Sequence, residues 1–229
     1  MSEAKGMGIK MKKIAIVHTS FVIVDGITEL FKRIIPEAKL VHIIDDSLLP
    51  EILAEKKITR KIIRRMLSYF KAAEDTGADL IFNVCSTVGE VADIARLIID
   101  TPIVKIDEKM AEEAVERGRR IGVAATLQST MDPTCRLIEK KAAELNKEII
   151  VERTLCPGAY DALTSGRKDE HDRIVSGYVK ELADKVDVIV FAQSTMARLL
   201  NSMDKNLADK ILTSPESGVR QAREVLGLK

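Results

Sequence analysis

The sequence predicts an α/β protein made of two related halves with parallel sheets, and three observations carry that expectation. Short β-branched runs alternate with longer amphipathic, charged stretches. The runs are apolar along their whole length, as strands buried on both faces must be, rather than alternating as half-solvated strands do. Two stretches of chain also recur at nearly one offset.

Read in order, the first strand falls at Ile14–His18 and the second at Leu40–Ile44, both dominated by Ile, Val and Leu. A helix follows over Ile58–Thr76, where Ile62, Ile63, Met66, Leu67 and Phe70 recur at three- and four-residue steps and mark one buried face. Gly77 stops it. The strand Leu80–Val84 leads to a helix at Glu90–Ile99, and the strand Ile103–Lys105 to a helix at Glu108–Arg117 ended by Gly118. The second half runs strand Ile121–Ala125, helix Pro133–Leu145, strand Ile149–Glu152, a turn at Gly158, helix Lys168–Lys185, strand Val188–Ala192 and strand Ile211–Thr213. The charged run Glu112–Arg120 is expected to be a wet helix surface.

The repeat pairs Asp79-Leu-Ile-Phe-Asn-Val-Cys85-Ser86-Thr87-Val88 with Asp187-Val-Ile-Val-Phe-Ala-Gln193-Ser194-Thr195-Met196, 108 residues apart. It also pairs Lys13-Ile-Ala-Ile-Val-His-Thr19 with Arg120-Ile-Gly-Val-Ala-Ala-Thr126, 107 residues apart. The expected organisation is an N-terminal extension over 1–12, a first half over 13–100 plus 209–229, and a second half over 101–208. An active-site cleft lies between the halves.

Composition narrows the function. With 36 Lys+Arg against 35 Asp+Glu, the chain lacks the basic excess of an electrostatic nucleic-acid binder, and eight Phe plus Tyr with no Trp leave little for base stacking. The longest runs free of Asp, Glu, Lys and Arg, Ile14–Val24 and Ile121–Met131, are eleven residues, well short of the roughly 20 that span a bilayer. The first thirteen residues lack an apolar signal-peptide core. Cys85, Cys135 and Cys156 are odd in number and widely spaced, which suits a reducing cytoplasm better than a disulfide framework. There is no Cys-x-x-Cys, no His-Glu-x-x-His, no phosphate-loop Gly-Lys-Ser/Thr and no Gly-x-Ser-x-Gly, so no metal site or hydrolase elbow is expected. Gly6-Met-Gly8 lacks the third glycine of a dinucleotide fingerprint and precedes the first strand.

In an open parallel sheet, ligands bind beyond the carboxyl ends of the strands. Cys85-Ser86-Thr87 and Gln193-Ser194-Thr195 stand at such ends, each just before a predicted helix. Unpaired N–H groups at a helix start favour anions, and the hydroxyls add donors, so two such loops facing each other would hold a small carboxylate from both sides. His18-Thr19-Ser20 and Thr126–Thr130 end the other repeated strands and should line the same cleft. Cys85 has two readings. It is a nucleophile or carbon base whose thiolate the helix start stabilises, or a buried small hydrophobe. Cys135, inside a helix, is structural. Cys156 is loop packing or a pocket wall. His171, within Asp169-Glu170-His171-Asp172, is a solvated helix residue or one that reaches the cleft edge.

The segments Ile14–Ser20, Asn83–Thr87, Ile106–Met110 with Ile121–Thr126, and Val188–Met196 resemble the aspartate/glutamate/hydantoin racemase superfamily, in matching order from about residue 13 to residue 201. The resemblance implies two pseudo-symmetric α/β halves, no cofactor, a homodimer, and a pair of cysteines that remove and return the proton beside a substrate carboxylate. Cys85 matches the first of those cysteines. Asn83, Ser86 and Thr87 match the carboxylate-binding loop around it, and Thr126 a polar strand end. The second cysteine falls on Gln193, whose amide offers hydrogen bonds but no comparable acid or base. The expectation is therefore a cofactor-independent isomerase or lyase on a small carboxylate or amino acid. Cys85 and Gln193 act at the reacting group, and Thr19, Ser20, Asn83, Ser86, Thr87, Thr126, Ser194 and Thr195 bind substrate. The alternative is a family member that binds a small carboxylate without turning it over.

Overall fold

The computed structural model of the chain describes residues 11–228. It contains two four-stranded sheets, parallel throughout. The first joins β1 (Lys12–His18), β2 (Ala38–Ile44), β3 (Leu80–Asn83) and β4 (Ile103–Lys105) in the order β2-β1-β3-β4. The second joins β5 (Arg120–Ala125), β6 (Ile150–Leu155), β7 (Val188–Phe191) and β8 (Ile211–Thr213) in the order β6-β5-β7-β8. Every strand expected from the sequence is present, with ends within three residues of the expected ones. The extension expected over 1–12 and Gly6-Met-Gly8 lie outside the described residues, except that Lys12 already belongs to β1.

Except in the edge strands β2 and β6, whose residues stay partly exposed, the apolar runs are buried on both faces because each sheet is sandwiched. In β1, Ile14 and Ile16 enter one core with Phe31 and Phe82, while Ala15 and Val17 enter another with Met66 and Phe70. In β7, Val188 and Val190 enter one core and Ile189 and Phe191 another. The helices that cover these faces are α1 (Val24–Ile34), α2 (Leu48–Glu55), α3 (Arg60–Asp75), α4 (Gly89–Ala95), α5 (Glu108–Arg117), α6 (Gln128–Glu144), α7 (Ala159–Thr164), α8 (Lys168–Ala183), α9 (Lys205–Ala208) and α10 (Ser214–Val225). The stripe read in α3 is the buried one: Ile62, Met66, Phe70 and Ala73 are fully enclosed. Helix α6 begins five residues before the expected Pro133, because Thr130 and Met131 extend its buried face back past the proline. Gly77 closes α3 with a φ of 72°, a conformation that costs glycine little. The charged run after Glu112 is wet only in part, since α5 turns Ala114 and Val115 into the core. Among the described residues, no helix is long and apolar enough to cross a membrane.

The repeat is visible in the hydrogen bonds. Asp79 accepts from the Lys13 backbone N–H at 2.8 Å, tying the approach to β3 onto β1. Asp187 does the same for the second half, accepting from the N–H groups of Arg119 and Arg120 at 2.8 Å each. The registers agree, Ile14 with Leu80 in one sheet and Ile121 with Val188 in the other.

The half boundaries need correction. β4, expected in the second half, pairs with β3, and β8, expected in the first, pairs with β7. The chain changes halves after those strands. The Met110, Ala111, Ala114 and Val115 face of α5 packs into the second-half core, and Val219 and Ala222 of α10 return to the first. Gly218 permits that return, because a Cβ there would collide with the Ile106 carbonyl.

Candidate active site

Parallel strands bring the carboxyl ends of each sheet to one edge. The pairing of Val17 with Asn83 sets residues 18–20 beside residues 84–86, so the loops after β1 and β3 are neighbours. In the second half, the pairing of Ala124 with Phe191 does the same for the loops after β5 and β7. Between the two sets lies a cavity of about 440 Å³.

Eight of the ten expected site residues line it: Thr19, Ser20, Cys85, Ser86, Thr87, Gln193, Ser194 and Thr195. Asn83 and Thr126 stand behind the wall. Asn83 is buried and its Nδ2 donates to the Cys85 carbonyl at 3.1 Å, fixing the loop that presents the thiol. Thr126 is bound to Gln193 twice. Its backbone N–H donates to Gln193 Oε1 at 2.7 Å, and its Oγ1 accepts from Gln193 Nε2 at 2.6 Å. The halves touch across the cleft where the Thr87 and Thr130 hydroxyls meet at 3.3 Å.

Cys85 is half-buried, with extended backbone (φ −106°, ψ 112°), and precedes a 3₁₀ turn at Ser86–Val88 that runs into α4. The N–H groups of that turn have few intrahelical acceptors, so they are available to an anion, while the Ser86 hydroxyl turns to Asp107 and the Thr87 hydroxyl to Thr130. The other two thiols lie elsewhere. Cys135 is buried in α6, where burial pushes its thiol up and the Arg153 Nε donates to its sulfur at 3.3 Å. Burial holds Cys156 up at about 12, and it packs in the second-half core rather than on the cavity. His171 is fully buried, which corrects the solvated reading. It shares a stripe with Val175, Val179 and Leu182 of α8, a spacing legible in the sequence, and its Nδ1 lies 2.7 Å from Asp172 Oδ1 and 3.1 Å from the Arg198 guanidinium.

His18 and Leu127 line the cavity as their strand ends predict, though the sequence assigns them no role, and several other wall residues carry no sequence signal. His18 is 1% exposed, lines the cavity, and its Nε2 lies 3.0 Å from Nδ1 of His42, the rings stacked 5.2 Å apart. Burial and the neighbouring His42 lower its pKa to about 4, so the imidazole is neutral at pH 7. Val22, Ile23 and Leu49 from the first half and Leu127, Tyr160 and Leu163 from the second make an apolar wall, with Lys168 at the start of α8. Their scatter over separate turns left no periodic signal to read.

Behind the Cys85 loop a smaller cavity of about 140 Å³ is lined by Ser86, Asp93, Lys105, Asp107, Arg136 and Lys140, among others. Lys105 is 2% exposed and paired with Asp93 at 3.0 Å. Burial pushes the Asp107 carboxyl up, against the pull of the Ser86 hydroxyl and Lys105.

Comparison with known proteins agrees with this architecture. The family model Asp/Glu/Hydantoin racemase matches residues 14–222, and the chain belongs to that family. A glutamate racemase of Synechocystis sp. is 26% identical over 220 residues, covering 90% of this chain and 76% of the relative. A glutamate racemase isoform from Bacillus anthracis superposes with a TM-score of 0.71 at 16% identity, covering 95% of this chain and 82% of its own. An arylmalonate decarboxylase superposes with a TM-score of 0.60 at 13% identity, covering 94% and 93%.

Proposed function

We propose that this member of the Asp/Glu/Hydantoin racemase family is a cofactor-independent isomerase or lyase that moves a proton at the α-carbon of a small carboxylate, with Cys85 as its one working thiol. The observation that carries the reading is the Gln193–Thr126 pair. The side chain standing where a second thiol would be needed has both amide atoms engaged with the wall behind it. In the isomerase case the Cys85 thiolate takes the α-proton and the C–H electron pair becomes the double bond of an enediolate. The same thiol then returns the proton to that carbon or to a conjugated one. In the lyase case a geminal carboxylate leaves as CO₂, the C–C electron pair makes the same enediolate, and the Cys85 thiol supplies the proton. Ser86, Thr87, Ser194 and Thr195 stabilise the negative charge that develops on the carboxylate, the contribution that is usually largest in such chemistry. Gln193 hydrogen-bonds the reacting group through the donor and acceptor capacity that Thr126 leaves unused.

The kinship with glutamate racemases supports the isomerase arm, and the arylmalonate decarboxylase likeness the lyase arm at the level of fold. The test is proton exchange at the α-carbon in D₂O, followed by NMR over a panel of amino, hydroxy, unsaturated and geminal acids. The expected result is exchange or decarboxylation that is stereospecific and lost in Cys85→Ala. Racemisation of aspartate, glutamate or a hydantoin at several turnovers per second by the wild type would sink the one-thiol reading. The same proposal includes a cytoplasmic homodimer, supported by three unpaired thiols and by Leu97 and Ile98, exposed apolar side chains at the end of α4. A monomer mass by light scattering would count against the dimer.

A further inference from the structure

Charge is distributed around the cleft in a way that bears on its ligand. Among the described residues that line the large cavity, the wall is made of hydroxyls, apolar side chains, one thiol, one amide, one imidazole and one ammonium. No carboxylate lines it. The imidazole of His18 is buried and held neutral by its packing against His42, so Lys168 is the single permanently charged side chain of the wall. Lys168 forms no ion pair among the described residues, although its neighbour Arg167 is tied to Glu170 at 2.6 Å. Apart from the working Cys85 thiolate, a ligand entering the cleft therefore meets one positive charge and no carboxylate.

That asymmetry discriminates between acids of one shape. A carboxylate gains from the hydroxyl loops and from Lys168. An α-ammonium group would lose water against Val22, Ile23, Leu49 and Leu163 with no carboxylate to receive it, and a buried charge without a fixed partner is expensive. We infer that the cleft selects an organic anion with an apolar body and no ammonium group, rather than a free amino acid, and that Lys168 is the residue that sets this charge preference. The inference rests on the reading of this cleft as the reaction site, and it narrows the substrate of that reading to acids whose α-substituent is neutral.

Three acids of one carbon skeleton isolate the term: 4-methylpentanoate, 2-hydroxy-4-methylpentanoate and leucine, each chiral acid as both enantiomers. The hydroxyl and the ammonium group are nearly the same size, so the second and third differ mainly in charge. Calorimetric titration of the full chain at pH 7 should show both non-amino acids binding at least roughly tenfold more tightly than either leucine. Lys168→Met should weaken the two acids by about three- to tenfold and leave leucine unmoved. Lys168→Glu, which places a carboxylate at the cleft, should reverse the order and make leucine the better ligand. Circular dichroism and melting of both variants exclude unfolding as the cause, and Lys168 is exposed enough to accept either change.

Leucine binding as well as the hydroxy acid in wild type, an unchanged order in Lys168→Glu, or no measurable binding of either non-amino acid would each overturn the inference. If the acids bind in the expected order but wild type exchanges no α-proton in D₂O, the proton-transfer reading fails and this one stands. If leucine binds well and its α-proton exchanges through Cys85, this one fails and that one stands.

Discussion

The two halves of this protein share a backbone plan and differ in what stands at the strand ends. In the first half, Thr19 and Cys85 both face the cavity. At the equivalent places in the second, Thr126 and Gln193 are bonded to each other, and Thr126 has withdrawn from the cavity wall. His18 in the first half corresponds to Ala125 in the second. The loop after β3 enters a short helix, whereas the loop after β7 continues as a 3₁₀ run over Ser194–Ser202, steadied by Arg198 on Asp172 at 2.7 Å. A duplicated fold thus supplies two geometrically similar strand-end edges, but only one of them carries a thiol.

The hardest test of that comparison removes the thiol that faces the cavity. Cys85→Ala should lower turnover by a factor of about 10² to 10⁴, the range for loss of a positioned acid–base group. Gln193→Ala should cost far less, because the amide holds no proton in flight. Gln193→Cys should introduce a second base on the opposite face, and chiral chromatography should then detect racemisation that wild type lacks. Equal losses in Cys85→Ala and Gln193→Ala would break the asymmetry.

The strand-end imidazole that the first half has where the second has Ala125 gives the next largest effect. The pKa of His18 is about 4 in the folded chain, against an ordinary value of 6.5, so the unfolded chain binds the proton first as pH falls. Stability is therefore intact above pH 6.5 and drains away between 6.5 and 4, by a total of about 3 kcal/mol at 1.36 kcal/mol per unit. His18→Asn should flatten the acid limb of a urea-denaturation series by that amount, whatever other groups titrate alongside. A limb of unchanged steepness would mean that the buried His18–His42 pair is already charged near neutrality.

Much of this was legible in the sequence, for definite reasons. Strands buried on both faces must be apolar along their runs, so the inner ones stood out, while the part-exposed β2 and β6 were legible from their Ile, Val and Leu content. The Asp79 and Asp187 repeat was visible because each aspartate caps the same pair of backbone strands. The swap of β4 and β8 between halves was not visible, since a three-residue strand carries no mark of which neighbour it pairs with; only the packing of Val104 and Ile211 reveals it. Asn83 was expected at the substrate from the family resemblance, and Thr126 from the resemblance and its place at a strand end. The side chains turn instead to the Cys85 carbonyl and to Gln193. Lys168 escaped notice because a lysine among charged neighbours looks like any wet helix start.

A smaller effect tests the closed pair in the second half. Gln193→Ala leaves the Thr126 N–H and hydroxyl without their partners, which costs about 1–2 kcal/mol of stability for groups that are mostly buried. Thr126→Val removes one of the two bonds. A double-mutant cycle by chemical denaturation should give a coupling energy of about 1 kcal/mol between the two positions, while the same cycle on Thr19 and Cys85 should give none above about 0.3 kcal/mol. Coupling of equal size in both halves would erase the distinction between an open pair and a closed one.

The smallest effect belongs to the seam between the halves. Helix α4 of the first half and α6 of the second are bridged by Glu90 with Arg136 at 2.5 Å and by Asp93 with Lys140 at 3.6 Å. Glu90 and Arg136 have side chains 48% and 52% exposed, so water screens them and their ordering costs side-chain entropy. Were such pairs what holds the two sheets together, Glu90→Gln would be severe and strongly salt-dependent. The packing of α5 and α10 into opposite cores argues otherwise, because it joins the halves through apolar contacts that salt does not weaken. Glu90→Gln should therefore cost less than about 1 kcal/mol at low ionic strength and nothing measurable at 1 M salt, where charges are screened beyond about 3 Å. A loss of several kcal/mol that salt abolishes would shift the cohesion of the molecule from the exchanged helices to the charged rim of the cleft.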